Sequence, residues 1–296
     1  MNKNYIVPNE WNIIEEGFDT ENVTSSESIF SLGNGAMGQR ANFEENYSGD
    51  TFQGSYIGGI YYPDKTRVGW WKNGYPEYFA KVLNAPNWIG IRVMINKTEL
   101  DLNQCKVTDF KRVLHMKEGF LLRSFKAELS SGDQIKVEAL RFLSLDLNEV
   151  GAIKYTVTPL NFDGEITYIP YIDAGIMNED ANYDEFFWEI ENIRQDKDEA
   201  FILSKTLKTG FYVSTGMKMA FSLNDIEIPL EYEVEVQEKS ISYTYQSYVK
   251  KNDSFTIYKF GGYTQSMNYP KEELLFASQK ALQKAMIIGF DNLLEK

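Results

Sequence analysis

The amino-acid sequence predicts an all-β-dominated fold: a large two-sheet antiparallel β-sandwich that carries one C-terminal helix. Three observations lead there. Apolar and polar residues alternate with a period of two from about residue 89 to about residue 260. The alternating runs are joined by clusters of Gly, Pro, Asn and Asp rather than by helical segments. Helical periodicity is plain in one place only, after Pro270.

The elements follow in order. Ile89, Ile91, Val93 and Ile95 fall on one face of a strand. Leu121, Arg123, Phe125, Ala127 and Leu129 share a face of the next, and Ser131-Gly132-Asp133 turns it into Ile135, Val137 and Ala139 as a hairpin. A second hairpin is expected between Gly151–Thr158 and Ile166, Tyr168 and Pro170, through the turn formers Pro159 to Gly164. In PLEYEVEVQEKSISYTYQSYV, Leu230, Tyr232, Val234 and Val236 face one way and Glu231, Glu233 and Glu235 the other, which reads as one strand with a wet face. Repeated strands with few helical patterns between them favour a sandwich over βαβ units. Leu274, Leu275, Ala281, Leu282, Ala285 and Met286 then recur at helical spacing, with Glu272 and Glu273 in the first turn and Gly289 at the stop. Such a helix either covers the sheet or leads on to something else.

At 296 residues, with 43% apolar and 25% charged side chains, the chain has ample material for a core and the composition of an ordinary globular protein. Its net charge of −13 argues against nucleic acid as a partner. One cysteine excludes an internal disulfide framework, and no run approaches the ~18 apolar residues of a membrane span. The start MNKNYIVPNEW has no apolar core of a secretory signal, so a cytoplasmic location is expected and the four sequons at Asn22, Asn46, Asn96 and Asn252 carry no weight.

Gly33-Asn34-Gly35-Ala36-Met37-Gly38 fits the dinucleotide pattern G-x-G-x-x-G. That pattern works only when the glycines open a helix whose N-terminus meets the pyrophosphate. Residues 39–49 show no apolar stripe at helical spacing, and Gly54, Gly58 and Gly59 follow. No nicotinamide or flavin cofactor is expected.

The same run, ESIFSLGNGAMGQRANFEENYSGDTFQGSYIGGIYYPDKT, preceded by WNIIEEGFD, resembles the N-terminal domain of family 65 glycoside hydrolases and phosphorylases, the group of maltose, kojibiose and trehalose phosphorylases. Further matches are GWWKNGYPEYFAKVLNAPNW at 69–88, Leu-Asp-Leu at 100–102, Arg-Phe-Leu-Ser at 141–144 and PYIDAGIMNEDANYDEFFWE at 170–189. The resemblance implies a supersandwich related to galactose mutarotase over residues 1–268, with residues 269–296 opening a helical linker to an (α/α)6 catalytic barrel. It implies an inverting phosphorolysis in which a glutamate protonates the glycosidic oxygen while inorganic phosphate attacks the anomeric carbon from the opposite face. Both groups belong to the barrel, so the resemblance assigns no catalytic residue and no bound cofactor to this chain, and names the barrel, a disaccharide and a second subunit as partners of the parent protein.

Other chemistry is weighed on the residues themselves. Glu44–Glu45, Glu179–Asp180 and Asp184–Glu185 are adjacent acids, poor dyads on a strand because neighbours point to opposite faces, and are taken as solvated or loop-bonding. His115 is the only histidine, which rules out a multi-histidine metal site and suits a strand end or turn before Gly119. Cys105 lacks a basic neighbourhood and reads as inert. NEDANYDE lacks the spacing of a calcium loop, so no metal is assigned.

The segment from Tyr61 to Trp88 gathers rings, namely Tyr61, Tyr62, Trp70, Trp71, Tyr75, Tyr78 and Trp88, with Lys65, Arg67, Lys72 and Asn73 among them. Such a mixture stacks on sugar rings or builds a domain interface, and about half of these rings are expected inside. Asn34, Arg40, Trp70, Trp71, Lys72, Asn73, Tyr75 and Tyr78 are therefore the candidates for substrate or domain-interface contact. The main expectation is a non-catalytic domain of a disaccharide phosphorylase. The alternatives are a free-standing carbohydrate-binding β-sandwich and a mutarotase-like epimerase, the last disfavoured by the single histidine.

Overall fold

A computed structural model describes residues 5–65, 76–178 and 186–296. Its strands form antiparallel sheets. The largest has eleven strands, in spatial order Ile6–Pro8, Asn12–Glu16, Lys106–His115, Phe120–Glu128, Gln134–Leu143, Val150–Pro159, Phe255–Gln265, Tyr212–Leu223, Glu199–Thr206 and Trp188–Asp196, with Ile226–Glu227 paired to Tyr212–Leu223. A five-stranded sheet, Tyr232–Val236, Ser240–Val249, Gly164–Asp173, Ile91–Ile95 and Thr98–Glu99, packs against its inner face. Alternation puts Ile91, Val93 and Ile95 from the smaller sheet and Val137, Tyr155, Met217 and Ile257 from the larger into one apolar layer. Trp88 lies fully buried there, its ring filling space over Gly151 and Gly261, where an added Cβ would come within 2.8 and 2.4 Å of it.

The hairpin at Ser131–Asp133 forms as the spacing predicts, with Phe125 opposite Val137. The second expected hairpin does not. Val150–Pro159 is already paired on both sides, by Gln134–Leu143 and Phe255–Gln265, so it has no free edge for the strand that follows. Residues 160–163 instead carry the chain to the other sheet, where Gly164–Asp173 pairs with Ser240–Val249 and Ile91–Ile95. Turn formers mark the reversal but do not say which sheet the chain enters next. Residues 230–249 are likewise not one strand. They form a hairpin of Tyr232–Val236 and Ser240–Val249, closed by a Gln237 N–H to Ser240 carbonyl bond. Its turn, Gln237-Glu238-Lys239, holds no Gly, Pro, Asn or Asp, so the uninterrupted alternation hid it.

The helix Leu274–Ile288 forms where its apolar spacing predicts and ends at Gly289, whose φ of 82° only glycine adopts readily. It lies on the outer face of the large sheet, where Leu282, Ala285 and the following Phe290 and Leu293 meet Phe142, Val150, Ala152, Phe201 and Phe260. Gly216 permits the approach, since a Cβ there would sit 2.7 Å from Ser278 Oγ and 2.9 Å from Leu282 Cδ1. Glu199, buried in the sheet, accepts from the Gln279 amide and fixes the helix register. The covering role thus stands in the structure.

Candidate functional site

The glycine run forms a β-hairpin. Leu32–Gly33 pairs with Met37–Gln39, which pairs with Ser55–Ile57. Asn34 Oδ1 accepts from the Ala36 and Met37 amides, Gly35 takes φ 88°, and Asn34 Nδ2 donates to the carbonyls of Ser144 (2.8 Å) and Asn148 (3.0 Å). No helix follows Gly38, so backbone amides are not presented to a pyrophosphate there.

The loop beyond the hairpin is held by charge. Three neighbouring strands of the large sheet place Arg112, Arg123 and Arg141 on their inner face, with Arg112 directly opposite Arg123 and Arg141 one step diagonal to it. Arg123 spans Glu45 at 2.5 Å and Glu44 at 2.6 Å. Arg141 Nη1 stands 3.3 Å from Glu44 and its Nη2 donates to the Asn42 carbonyl at 3.1 Å. Arg112 Nε stands 3.4 Å from Glu15 Oε2, an ion pair without hydrogen-bond geometry, and its guanidinium lies over Phe30, Phe43 and Phe110. Glu27, in the helix Val23–Ile29, accepts from the Thr51 hydroxyl and the Phe52 amide and stands 3.8 Å from Arg40. Four arginines therefore face four glutamates almost out of reach of water.

Glu44 and Glu45 are thus buried structural anions, not solvated ones. They sit in irregular chain, where neighbouring side chains are free to converge, and the rule for strands does not govern them. Burial alone would raise the Glu44 carboxyl, but the Arg141 and Arg123 charges outweigh it and hold Glu44 below the ordinary carboxylate value, so it is no proton donor. Burial lowers Arg112 and Arg141 against the pull of their glutamates. Glu15 is raised by burial beyond what Arg112 and Ser26 recover. The sequence signal was available: an arginine at an inward register position on each of three adjacent strands.

This lattice positions a cleft of about 390 Å³ lined by Arg40, Phe52, Gln53, Tyr56, Val82, Asn84 and Asn178. Arg40 is fixed by donating from Nε to the Phe52 carbonyl (2.8 Å) and from Nη2 to the Thr24 carbonyl (3.1 Å). Gly54 is required beside it, because an added Cβ would lie 2.3 Å from Arg40 Cδ and 2.6 Å from the Tyr56 hydroxyl. Asn84 closes the floor: its Oδ1 accepts from Ser55 N, its Nδ2 donates to Gln53 O, its own amide donates to Asn178 Oδ1 and its carbonyl accepts from Trp188 Nε1 at 2.8 Å. A second hollow of about 400 Å³, lined by Gly35–Gly38, Tyr56–Tyr61, Ala80 and Val82, adjoins the first through Tyr56 and Val82.

Of the sequence candidates, Arg40 borders the first cleft. Asn34 shapes the turn beside the second hollow without lining it. Tyr78 is 53% exposed on the strand Tyr78–Val82, whose other members Ala80 and Val82 line the hollows. Trp70, Trp71, Lys72, Asn73 and Tyr75 lie outside the described residues, as do Glu179, Asp180, Asp184 and Glu185. Tyr62 and Trp88 are buried core residues, whereas Tyr61 is exposed. Phe52, Gln53, Tyr56, Asn84 and Asn178 escaped the sequence reading because they come from three distant segments with no shared motif. His115 ends its strand and stacks on Phe120, as its setting suggests. Burial, then the charges of Glu45 and Asp101, pushes the Cys105 thiol up to about 11, which keeps it unreactive. Among the described residues no group of three His, Cys, Asp or Glu side chains is placed to hold a metal, and no helix is long and apolar enough to cross a membrane.

Comparison with known proteins agrees with the geometry. The description "Glycosyl hydrolase family 65, N-terminal domain" matches residues 13–296. The maltose phosphorylase of Bacillus subtilis (strain 168) is 37% identical over 292 residues, 99% of this chain and 38% of its own length. The α,α-trehalose phosphorylase of Thermoanaerobacter brockii is 30% identical over 307 residues, 96% of this chain and again 38% of its own. A solved structure from the human microbiome, provisionally described as a kojibiose phosphorylase, superposes over all of this chain and 38% of its own with a TM-score of 0.87 at 24% identity, which bears on the fold alone. The chain spans under two-fifths of the length of these relatives. It belongs to glycosyl hydrolase family 65, as the N-terminal β-sandwich domain of that family.

Proposed function

We propose that this chain is the non-catalytic N-terminal domain of a maltose phosphorylase-like enzyme. The parent protein would carry out inverting phosphorolysis of an α-glucosidic disaccharide, giving β-glucose 1-phosphate and glucose, with inorganic phosphate as co-substrate and no bound cofactor. The observation that carries the reading is the 37% identity to a maltose phosphorylase over 99% of this chain but 38% of the relative. On this reading residues 1–268 are the sandwich and residues 269–296 open the linker to a catalytic (α/α)6 barrel, in a cytoplasmic and homodimeric enzyme.

The carboxyl chemistry supports a division of labour. An inverting enzyme needs a general acid with a raised pKa opposite the attacking group. Among the described residues the carboxyls that burial raises are Glu15 and Glu149. Glu15 is sealed behind Ser26 and Arg112, Glu149 is bonded to the Tyr269 hydroxyl, and neither lines the two hollows. Glu44 and Glu45 are committed to arginines. The test is to incubate the 296-residue chain and the longer protein with maltose, kojibiose or trehalose plus phosphate. Glucose 1-phosphate is expected from the longer protein alone and fastest with maltose; release by the 296-residue chain would overturn the domain assignment, and preference for another sugar would overturn the choice of linkage.

A further inference from the structure

The geometry points to a sugar-binding site in the cleft between Arg40, Phe52, Gln53 and Tyr56, built from residues of this domain. The choice of ligand class rests on the carbohydrate reading above, while the site rests on observations of its own. The cleft, about 390 Å³, is within the usual range for small-molecule sites. Its walls combine the rings of Phe52 and Tyr56 with planar guanidinium and amide groups, the pairing of apolar face and fixed polar edges that a pyranose presents in reverse. Phe52 is 48% exposed, an apolar ring held at the cleft by a backbone whose amide and carbonyl are both tied down, to Glu27, Arg40 and Asn42.

One donor is unspent at the cleft. Arg40 Nη1 is the one guanidinium nitrogen of that side chain with no hydrogen bond among the described residues, Nε and Nη2 being engaged. A ligand oxygen that meets it gains a charge-assisted hydrogen bond without a protein partner having to give way. The acceptors that fit are neutral hydroxyl and ring oxygens rather than a phosphate. The Glu27 carboxylate 3.8 Å from Arg40 already offsets its charge, and the protein as a whole carries −13. The site is also preorganised, because the Arg123 and Arg141 lattice holds residues 40–54 before any ligand arrives.

The experiment is calorimetric titration of the 296-residue chain with glucose, maltose, kojibiose and trehalose, with inorganic phosphate in parallel. Millimolar binding of at least one sugar is expected. Phe52→Ala and Gln53→Leu, the first at an exposed side chain and the second replacing an amide of the cleft wall by an apolar group, should each weaken it about tenfold, the measure of one stacking or hydrogen-bond contact. Circular dichroism and thermal melting of both variants establish that they fold as the parent does. Binding of phosphate that displaces sugar would overturn the ligand class, and sugar binding unmoved by both folded variants would overturn the location. Absence of any sugar binding would overturn the site while leaving the phosphorolysis of the longer protein untouched, so the two readings fail separately.

Discussion

The strands Asn12–Glu16 and Lys106–His115 hold two ion pairs one residue apart. Lys111 lies opposite Glu16 and Arg112 opposite Glu15. Because side chains alternate, the first pair faces water, with side chains 47% and 62% exposed, and the second faces the core, at 1% and 5%. The same register and the same charges thus occupy two different dielectric settings. The outer pair is screened by solvent, and its attraction is nearly balanced by the order it imposes. The inner pair has lost its water and depends on its partner. A buried ion pair of this kind fixes register rather than adding net stability, here that of the two strands, while the loop that leads from Arg40 to Phe52 and Gln53 is held by the neighbouring Arg123 and Arg141 on Glu44 and Glu45.

The largest effect should come from Arg123→Leu, which strands Glu45 in a dry interior and leaves Glu44 with Arg141 alone. A loss of about 3–5 kcal/mol is expected in denaturant titrations, and loss of native signal altogether would fit the same account. Next, Glu15→Leu alone should cost about 3 kcal/mol by leaving Arg112 unpaired, whereas Glu15→Leu with Arg112→Leu should recover most of it. A double variant as damaged as the single would show that the pair itself, not the stranded charge, matters.

pH separates the two glutamates further, and in opposite directions. Glu44 is held below the ordinary value of 4.5, so the stability it contributes is complete above that value and is lost as pH falls below it through the folded value. Glu15 is raised above 4.5, so the folded state holds its proton more tightly and stability falls as pH climbs through that raised value. Acid denaturation of Glu15→Gln against wild type should therefore flatten the second slope and leave the first.

A third buried titratable group completes the series. Lys259, on an inward position of Phe255–Gln265, meets no carboxylate among the described residues and donates to the carbonyls of Gly90 (2.7 Å) and Tyr171 (2.9 Å). Burial drives its amine well below 10.5, so the unfolded chain binds a proton that the folded one refuses, and stability falls as pH drops from 10.5 toward the folded value. Lys259→Met should abolish this rise in stability between about pH 8 and 10, read by thermal melting. The smallest change is expected from Lys111→Ala, within about 0.5 kcal/mol of wild type and smaller still in salt.

The sandwich was legible because alternation reports burial directly, and the run Ile91 to Ile95 could face only one way. The cleft was legible only at Arg40. Its other walls are brought in by Asn84, whose hydrogen bonds tie Ser55 and Gln53 to Asn178, 94 residues further along the chain. No local pattern records such a junction. Glu44 and Glu45 show the same boundary from the other side: their presence was visible, but their burial depends on arginines 78 residues or more away.

By itself the sequence determined the alternating faces of the strands, the C-terminal helix Leu274–Ile288 and the failure of the glycine run to open a helix, since each depends on neighbours within a few residues; it did not show the turn at 237–239 or the helix Val23–Ile29. Tertiary structure decided which sheet each strand joined, which charges lost their water, and which side chains share a cleft. Those outcomes depend on free strand edges and on desolvation, and both are properties of the assembled chain.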